Sequence, residues 1–256
     1  MTSPVPADAL EGLLIEGRRA PPEEYDRVQV TRRGEPKPAG PGMALEEGDR
    51  VRTGAGVTAL LTLASGYELV LEPETEVTIG DEETVLGIGK LIAKRIRDAV
   101  KRFGIGTRFV SAGVEGTEFV IEVDPESTVR IAVLEGQVRV APKGAQWQPA
   151  LFNAGEAGVI RPNAAPERTP GLDQGAIDAM RARSTQVEEV LRKTGALRVI
   201  GTGAERYGIY DSTGTVGLAD ARTNDARELL PGTYVVKLGN RNIPVRIRAG
   251  QTTTIR

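Results

Sequence analysis

The pattern of apolar and polar positions predicts a chain built mainly from short β-strands. Apolar side chains at Tyr67, Leu69 and Leu71 recur with a period of two residues, and turns rich in Gly, Asp and Pro separate such stretches. The 31 glycines and 16 prolines fit a fold with many turns. The predicted fold class is therefore mainly β: a layered β domain with an amphipathic helical insert, a helical connector and a small C-terminal β-sandwich.

A repeated rhythm of strands organises the first part of the chain. A hairpin is predicted over residues 57–71, and residues 116–140 repeat the order strand, turn, strand, turn, strand of residues 56–79. Stacked β layers would give this repeat, and so would any meander of hairpins. A glycine corner precedes the hairpin, and Gly54 is predicted to need a positive φ there.

Two stretches carry apolar residues three and four positions apart, which predicts amphipathic helices. The first covers residues 87–103 and the second residues 177–193, where Thr185 and Glu188 form a capping-box pattern that predicts a break at Ser184. The polar face of the first helix carries six cations, which are Lys90, Lys94, Arg95, Arg97, Lys101 and Arg102. This basic face either binds an anionic partner or a membrane surface, or is merely solvated.

These elements divide the chain into four predicted segments. Residues 1–24 form a flexible N-terminal tail that includes a short helix over residues 7–16. Residues 25–160 form the layered β domain, and residues 161–195 a linker and helix. Residues 196–256 form the small β-sandwich.

The residue types present exclude the commonest catalytic centres. The chain has no histidine and no cysteine, so it has no Ser-His-Asp relay, no thiolate nucleophile and no disulfide. Glu115 and Glu118 would point to opposite faces of a strand, and the acidic run at residues 81–83 lacks the spacing of a calcium loop. We therefore expect no enzyme, no catalytic residue, no metal and no cofactor.

Charge and hydropathy restrict the partners and the compartment. A net charge of -2 argues against a general nucleic-acid binder, and no apolar run is long enough to span a membrane. The N-terminus lacks the layout of a signal peptide. The expected location is periplasmic or extracellular if a signal peptide was removed, and otherwise cytoplasmic. The single tryptophan, Trp147, either stacks on a sugar ring or packs against the core.

Five motifs follow one another across residues 25–160. They are Gly-Asp-Arg-Val-Arg-Thr-Gly at 48–54, Leu-Thr-Leu-Ala-Ser-Gly at 61–66, Leu-Glu-Pro-Glu-Thr-Glu-Val at 71–77, Val-Glu-Gly-Thr-Glu-Phe at 114–119 and Val-Leu-Glu-Gly-Gln-Val-Arg-Val at 133–140. Their order and spacing resemble the FecR family of ferric-citrate-type regulators. The resemblance implies an extracytoplasmic β-rich domain that relays signals or mediates protein contacts, and it brings no catalytic residues. Full regulators also carry an anti-sigma segment and a transmembrane helix, which this sequence lacks.

A second, shorter resemblance concerns the C-terminal segment. Residues 229–236 and 249–253 resemble the end of small transthyretin- or carboxypeptidase-regulatory-like sandwiches, an immunoglobulin-like class of β fold. In such a sandwich Tyr234 would pack inward.

The predicted function is a non-enzymatic extracytoplasmic interaction or signal-relay module of FecR type. It would bind a protein partner in the cell envelope, for which strand addition at an exposed sheet edge offers a mechanism. The alternative is a glycan- or envelope-binding structural protein that uses Trp147 and the basic helix. No nucleic-acid partner is expected, and the basic helix offers a contact with a membrane surface.

Overall fold

The computed structural model describes residues 8–96, 103–201, 205–210, 214, 217–229, 232–248 and 250–255, without the side chain of Glu115. The chain is mainly β, which confirms the predicted fold class. It divides into two compact units, residues 1–191 and residues 192–256. No helix among the described residues is long and apolar enough to cross a membrane.

The described residues of the N-terminal unit form sixteen strands, one 3₁₀ helix and one α-helix. The strands are β1 Ala9–Ile15, β2 Arg18–Arg19, β3 Val28–Arg32, β4 Glu35–Lys37, β5 Met43–Ala44, β6 Arg50–Thr53, β7 Val57–Thr62, β8 Tyr67–Leu71, β9 Glu76–Thr78, β10 Glu83–Arg95, β11 Phe103–Gly106, β12 Val110–Val123, β13 Val129–Pro142, β14 Ala150–Asn153, β15 Ala157–Ile160 and β16 Glu167–Arg168. The 3₁₀ helix is Pro22–Arg27, and the α-helix, α1, is Gln174–Arg192.

The strands of this unit form one sheet with two buried faces. Its main path runs in the order β16-β15-β13-β12-β11-β10-β8-β7-β1-β2. The inner face surrounds the larger core cluster, to which Tyr67, Phe119 and Phe152 contribute fully buried rings. The outer face of the central strands carries a second cluster, which includes Leu60, Val70 and contacts from α1.

The longest hairpin bends at two glycines. Strand β12 pairs with β13 over almost its full length, and the register shifts between Glu115 and Phe119. Gly116 has a φ of 66° and Gly136 a φ of 76° at this bulge, a region that glycine adopts without steric cost. The second of the two turns predicted within residues 116–140 falls at Glu135 and Gly136. That prediction is wrong, because these residues form a bulge and β13 continues through them.

The predicted helix over residues 87–103 is wrong where the structure describes it, because residues 83–95 form strand β10. Leu91 and Ala93 lie in the inner core and Ile92 lies in the outer cluster, so both faces of the strand are apolar. A register shift between Leu86 and Ile88 interrupts the alternation further. Apolar spacing of three and four therefore arises here from a bulged strand that is buried on both sides.

The prediction of a flexible tail over residues 1–24 is also wrong from residue 8 onward, since β1 pairs with β7 inside the sheet. Leu10 and Leu13 are fully buried in the inner core, and Leu14 lies in the outer cluster. A bulge between Leu10 and Gly12 breaks the alternation of apolar residues. Residues 9–15 therefore carry apolar side chains at helix-like intervals, although they form a strand.

The glycine corner before β7 differs in detail from its prediction. The positive φ belongs to Gly56, at 68°, and not to Gly54. Gly54 is restricted instead by a close approach, because a β-carbon there would lie 3.0 Å from the carbonyl oxygen of Arg27.

The C-terminal unit contains two small sheets that share a core. Its strands are β17 Gly195–Val199, β18 Arg206–Tyr210, β19 Gly217–Arg222, β20 Ala226–Leu229, β21 Gly232–Leu238, β22 Arg241–Ile247 and β23 Thr252–Ile255. The sheets have the orders β20-β17-β23 and β19-β18-β21-β22. Leu197, Ile209 and Val236 belong to the cluster that both sheets bury, and Tyr234 packs against it. A transthyretin-like or immunoglobulin-like identity for this unit stays a prediction.

Candidate functional site

Helix α1 lies on the outer face of the N-terminal sheet, and its apolar side follows the predicted spacing. Val187 and Leu191 are buried there, with Ile177, Met180 and Val190 packed beside them. The break predicted at Ser184 is wrong, because α1 is continuous and Ser184 is buried. We call the outer sheet surface that α1 covers the α1 seat, formed by Leu14, Leu60, Val70, Ile92, Val120 and Leu134.

Ion pairs surround this apolar contact. Arg183 binds both carboxylate oxygens of Glu72, at 2.9 and 3.0 Å, and donates to the hydroxyl oxygen of Thr58 at 2.8 Å. Arg181 pairs with Glu118 at 3.2 Å and donates to the Leu134 carbonyl at 3.0 Å. These bonds are charge-assisted and partly shielded from water, so they fix the position of α1 along the sheet.

The C-terminal end of α1 makes its closest approach at a glycine. A β-carbon on Gly12 would lie 2.9 Å from the Cδ2 atom of Leu191. The Arg19 guanidinium donates to the Leu191 carbonyl, one of the helix-end acceptors that lack a partner within the helix. The N-terminal strand thus holds the end of the helix that continues into the C-terminal unit.

Among the described residues, the cations Lys90, Lys94 and Arg95 of the predicted basic face lie on or at the end of strand β10 and not on a helix. Lys94 lies on β10 and its Nζ atom is 2.8 Å from Glu188 of α1. Lys90 is half-buried on the same strand, and Arg95 is exposed at its end. Three further predicted residues, Arg97, Lys101 and Arg102, lie outside the described residues. Residues 87–95 therefore do not support a membrane contact through a basic helix.

Trp147 lies at a different place on the N-terminal unit. It is half-buried against the inner core, as one of its two predicted environments required. It also lines a small cavity of about 10 Å³, whose other lining residues are Phe109, Val110, Gln146, Ile160, Arg161 and Asn163.

The start of the first motif, at Gly48 and Asp49, has a structural role. Asp49 is fully buried and accepts two hydrogen bonds from Arg32, at 2.8 and 2.7 Å, and one from the Glu46 amide at 2.9 Å. Burial alone would raise the pKa of Asp49, but these bonds and the charge of Arg32 outweigh it and hold the pKa below 3.8. The pair ties the start of β6 to β3.

Two of the acidic residues considered for chemistry are engaged in ion pairs. Glu83 binds Lys143 at 2.7 Å and accepts a hydrogen bond from the Ser111 hydroxyl, and Glu118 binds Arg181. Within the ranges that the structure describes, no three His, Cys, Asp or Glu side chains lie together as a metal site. No pattern in the sequence indicated the α1 seat, because its charged partners lie far apart in the chain.

The geometry defines a β-rich module whose outer sheet face is covered by a helix of its own chain. The family model described as FecR protein matches residues 49–139, which run from the start of β6 into β13. This match confirms the family resemblance for the central strands. A comparison with curated proteins gives no match.

Two solved structures are similar to the chain at low identity. They are crystal structures, at 1.65 and 2.50 Å resolution, described as "a putative anti-sigma factor from Parabacteroides distasonis ATCC 8503". Each is 14% identical, with a TM-score of 0.43, and the match covers 69% of this chain and 85% of that chain. We draw no functional conclusion from a likeness at this TM-score.

Proposed function

We propose that this chain is a non-enzymatic signal-relay module of FecR type that binds a protein partner in the cell envelope. The FecR match over residues 49–139 carries the proposal, because it falls on the strands that form most of the α1 seat. A regulatory, non-catalytic role is what that family implies.

The connection between the two units supports a relay. Helix α1 ends at Arg192 and β17 begins at Gly195, so two residues separate the docked helix from the C-terminal unit. A partner that binds the C-terminal unit acts on the end of α1 through this short link. If the partner strengthens or weakens the docking of α1, the fraction of molecules in which α1 covers the α1 seat changes.

The proposal is tested by cross-linking the full chain to its neighbours in intact cells of the source organism. We expect one protein to be recovered, to capture the chain in the reciprocal experiment, and to bind it when both are purified. The proposed function fails if no protein passes all three steps. Protease digestion of whole cells and of permeabilised cells tests the envelope location. If the chain stays protected from the protease after the outer envelope is permeabilised, the envelope location is wrong.

The cavity beside Trp147 favours a second candidate function, the binding of an envelope glycan. Trp147, Arg161 and Asn163 line the same cavity, and indole, guanidinium and amide groups are those that stack on sugars and hydrogen-bond to them. A glycan array with the wild-type chain and Trp147→Ala tests it. Leu151→Ala is the matched control, since Leu151 is 44% exposed outside this cavity. Binding that survives Trp147→Ala excludes this site.

A further inference from the structure

The outward face of the four-stranded C-terminal sheet places cations together without acidic partners. Arg206 on β18 lies directly opposite Arg222 on β19, and both side chains are exposed. Like charges at directly opposite positions destabilise a sheet. Neither arginine forms an ion pair with another described residue. Asp220, which lies two positions before Arg222 on β19, is the acidic residue nearest to them along that strand. The pair therefore leaves a local excess of positive charge.

The charge of the whole unit strengthens this local excess. Residues 192–256 contain 11 Lys and Arg against 5 Asp and Glu, which gives a net charge of +6. The whole chain carries -2, so residues 1–191 carry -8. A near-neutral total thus conceals a basic unit that attracts an acidic partner.

Strand β19 supplies a free edge beside these cations. It is six residues long, lacks proline, and pairs with β18 alone among the described strands. The other edge of its sheet, β22, contains Pro244, and the N-terminal sheet path ends in the two-residue strands β2 and β16. A strand at the edge of a sheet presents unpaired amide and carbonyl groups, which an extended peptide can complete. Leu218 on β19 is 52% exposed and offers an apolar contact beside that edge.

We infer that β19 is a docking edge for an acidic, extended segment of the partner protein, which adds to the C-terminal sheet as a further strand. This inference rests on the proposed function. Asp220 and Arg222 alternate along one face of β19, opposite to Ala219 and Ala221, and Leu218 lies exposed at the register shift that precedes them. The added strand would run antiparallel to β19. Read along its own direction, it would carry an acidic residue opposite Arg222, then a basic residue opposite Asp220, then an apolar residue opposite Leu218, at every second position.

The same face is less suited to single-stranded nucleic acid, despite its charge. Sheet surfaces that bind such strands stack bases on free aromatic rings. The Tyr210 ring is already contacted by the Lys237 ammonium, whose Nζ atom is 4.1 Å from the ring centre. A β-carbon on Gly217 would lie 3.5 Å from the same ring, so Tyr210 also lies against β19.

The test uses the full chain and a synthetic peptide with Glu, Lys and Val at alternate positions in a Thr-rich background, with Asp residues at both ends so that the peptide is acidic. Nuclear magnetic resonance titration should show amide shifts concentrated in β19. Arg222→Glu should weaken binding roughly tenfold, and exchange of the peptide Glu for Lys should restore it. Arg246→Glu is the matched control, because it changes the net charge equally but lies on β22 at the other side of the sheet. It should weaken binding much less.

Several results would overturn the docking edge. They are no binding of the peptide to the wild-type chain, equal weakening by both variants, equal binding of a scrambled peptide, or tighter binding of a single-stranded RNA at β19. Retained amide dispersion in Arg222→Glu shows that the variant folds, and Leu218→Asp gives a second disruption of the edge. If cells yield a partner that Arg222→Glu captures as well as wild type, only the edge is wrong. If no partner is found, the proposed function itself fails.

Discussion

The two units use their charged residues in opposite ways. The ion pairs that join strands and helix lie within residues 1–191, although that unit carries a net charge of -8. Residues 192–256 carry +6, and on their four-stranded sheet Arg206 and Arg222 lie directly opposite each other without an ion pair to another described residue. Charges that are paired across strands and helix fix a structure, whereas unpaired charges on an open face remain available for binding. The difference therefore separates a scaffold from a docking unit.

The largest expected effect comes from breaking the scaffold at its hairpin bulge. Gly136 has a positive φ, and a β-carbon there would lie 3.0 Å from the Gly116 carbonyl oxygen and from the Thr117 hydroxyl oxygen. Gly136→Val should lower the free energy of unfolding by about 3 kcal/mol, through backbone strain and steric overlap. Urea denaturation measures the change. Gly113→Ala on the same strand pair is the control and should be nearly neutral, because a β-carbon there meets nothing closer than 3.9 Å.

The buried carboxylate of the first motif should make the scaffold sensitive to acid. Asp49→Asn should cost about 2 kcal/mol at neutral pH, since Arg32 loses its charged partner. The folded-state pKa of Asp49 is depressed, so its contribution is present above the unfolded pKa of about 3.9 and is lost as pH falls through the folded value. Unfolding curves of wild type and variant should therefore converge as pH falls below about 3.9 and through the depressed folded-state pKa of Asp49. A constant difference across that range would show that the carboxylate charge is not what stabilises the fold.

Removal of one helix cation should loosen the α1 seat. Arg183→Ala should cost about 1–2 kcal/mol, because Glu72 and Thr58 lose charge-assisted bonds in a partly buried place. Arg130→Ala, which breaks exposed pairs with Glu122 and Asp124, should cost less than about 0.5 kcal/mol. Chemical denaturation of both variants under identical conditions is the measurement. Equal losses would mean that the contacts of α1 contribute no more than surface pairs.

The smallest effect is expected in the basic unit. Arg222→Gln removes the repulsion from Arg206, so stability should stay constant or rise by up to about 0.5 kcal/mol. Differential scanning calorimetry of the full chain detects this change. A clear loss of stability would assign Arg222 a structural role and remove the contrast between the two units.

The sequence predicted strand β8 from apolar residues at alternate positions, although all five residues of the strand are buried. It also predicted α1, whose one apolar face lies on the sheet at a spacing of three and four residues. Strands β1 and β10 were mistaken for helices, because each has a bulge and contributes side chains to both core clusters. Strand β19 was missed, since an exposed edge of six residues leaves little apolar alternation to detect.

The candidate site depended on contacts that no local pattern reveals. Lys94 belonged to an apparent basic face, but its carboxylate partner, Glu188, lies 94 residues further along the chain. The excess of cations in residues 192–256 was present in the sequence, but the net charge of the whole chain concealed it. Charge counted separately for each folded unit would have indicated this region.

Residue-resolved hydrogen exchange on the full chain, with Arg183→Gln and Arg222→Gln compared with wild type, tests the central contrast most directly. Loss of Arg183 should speed amide exchange in α1, because the helix is released more often from its seat. Loss of Arg222 should leave exchange in β17–β23 unchanged or slower. Faster exchange throughout the C-terminal unit in Arg222→Gln, of the size seen for α1 in Arg183→Gln, would contradict the account.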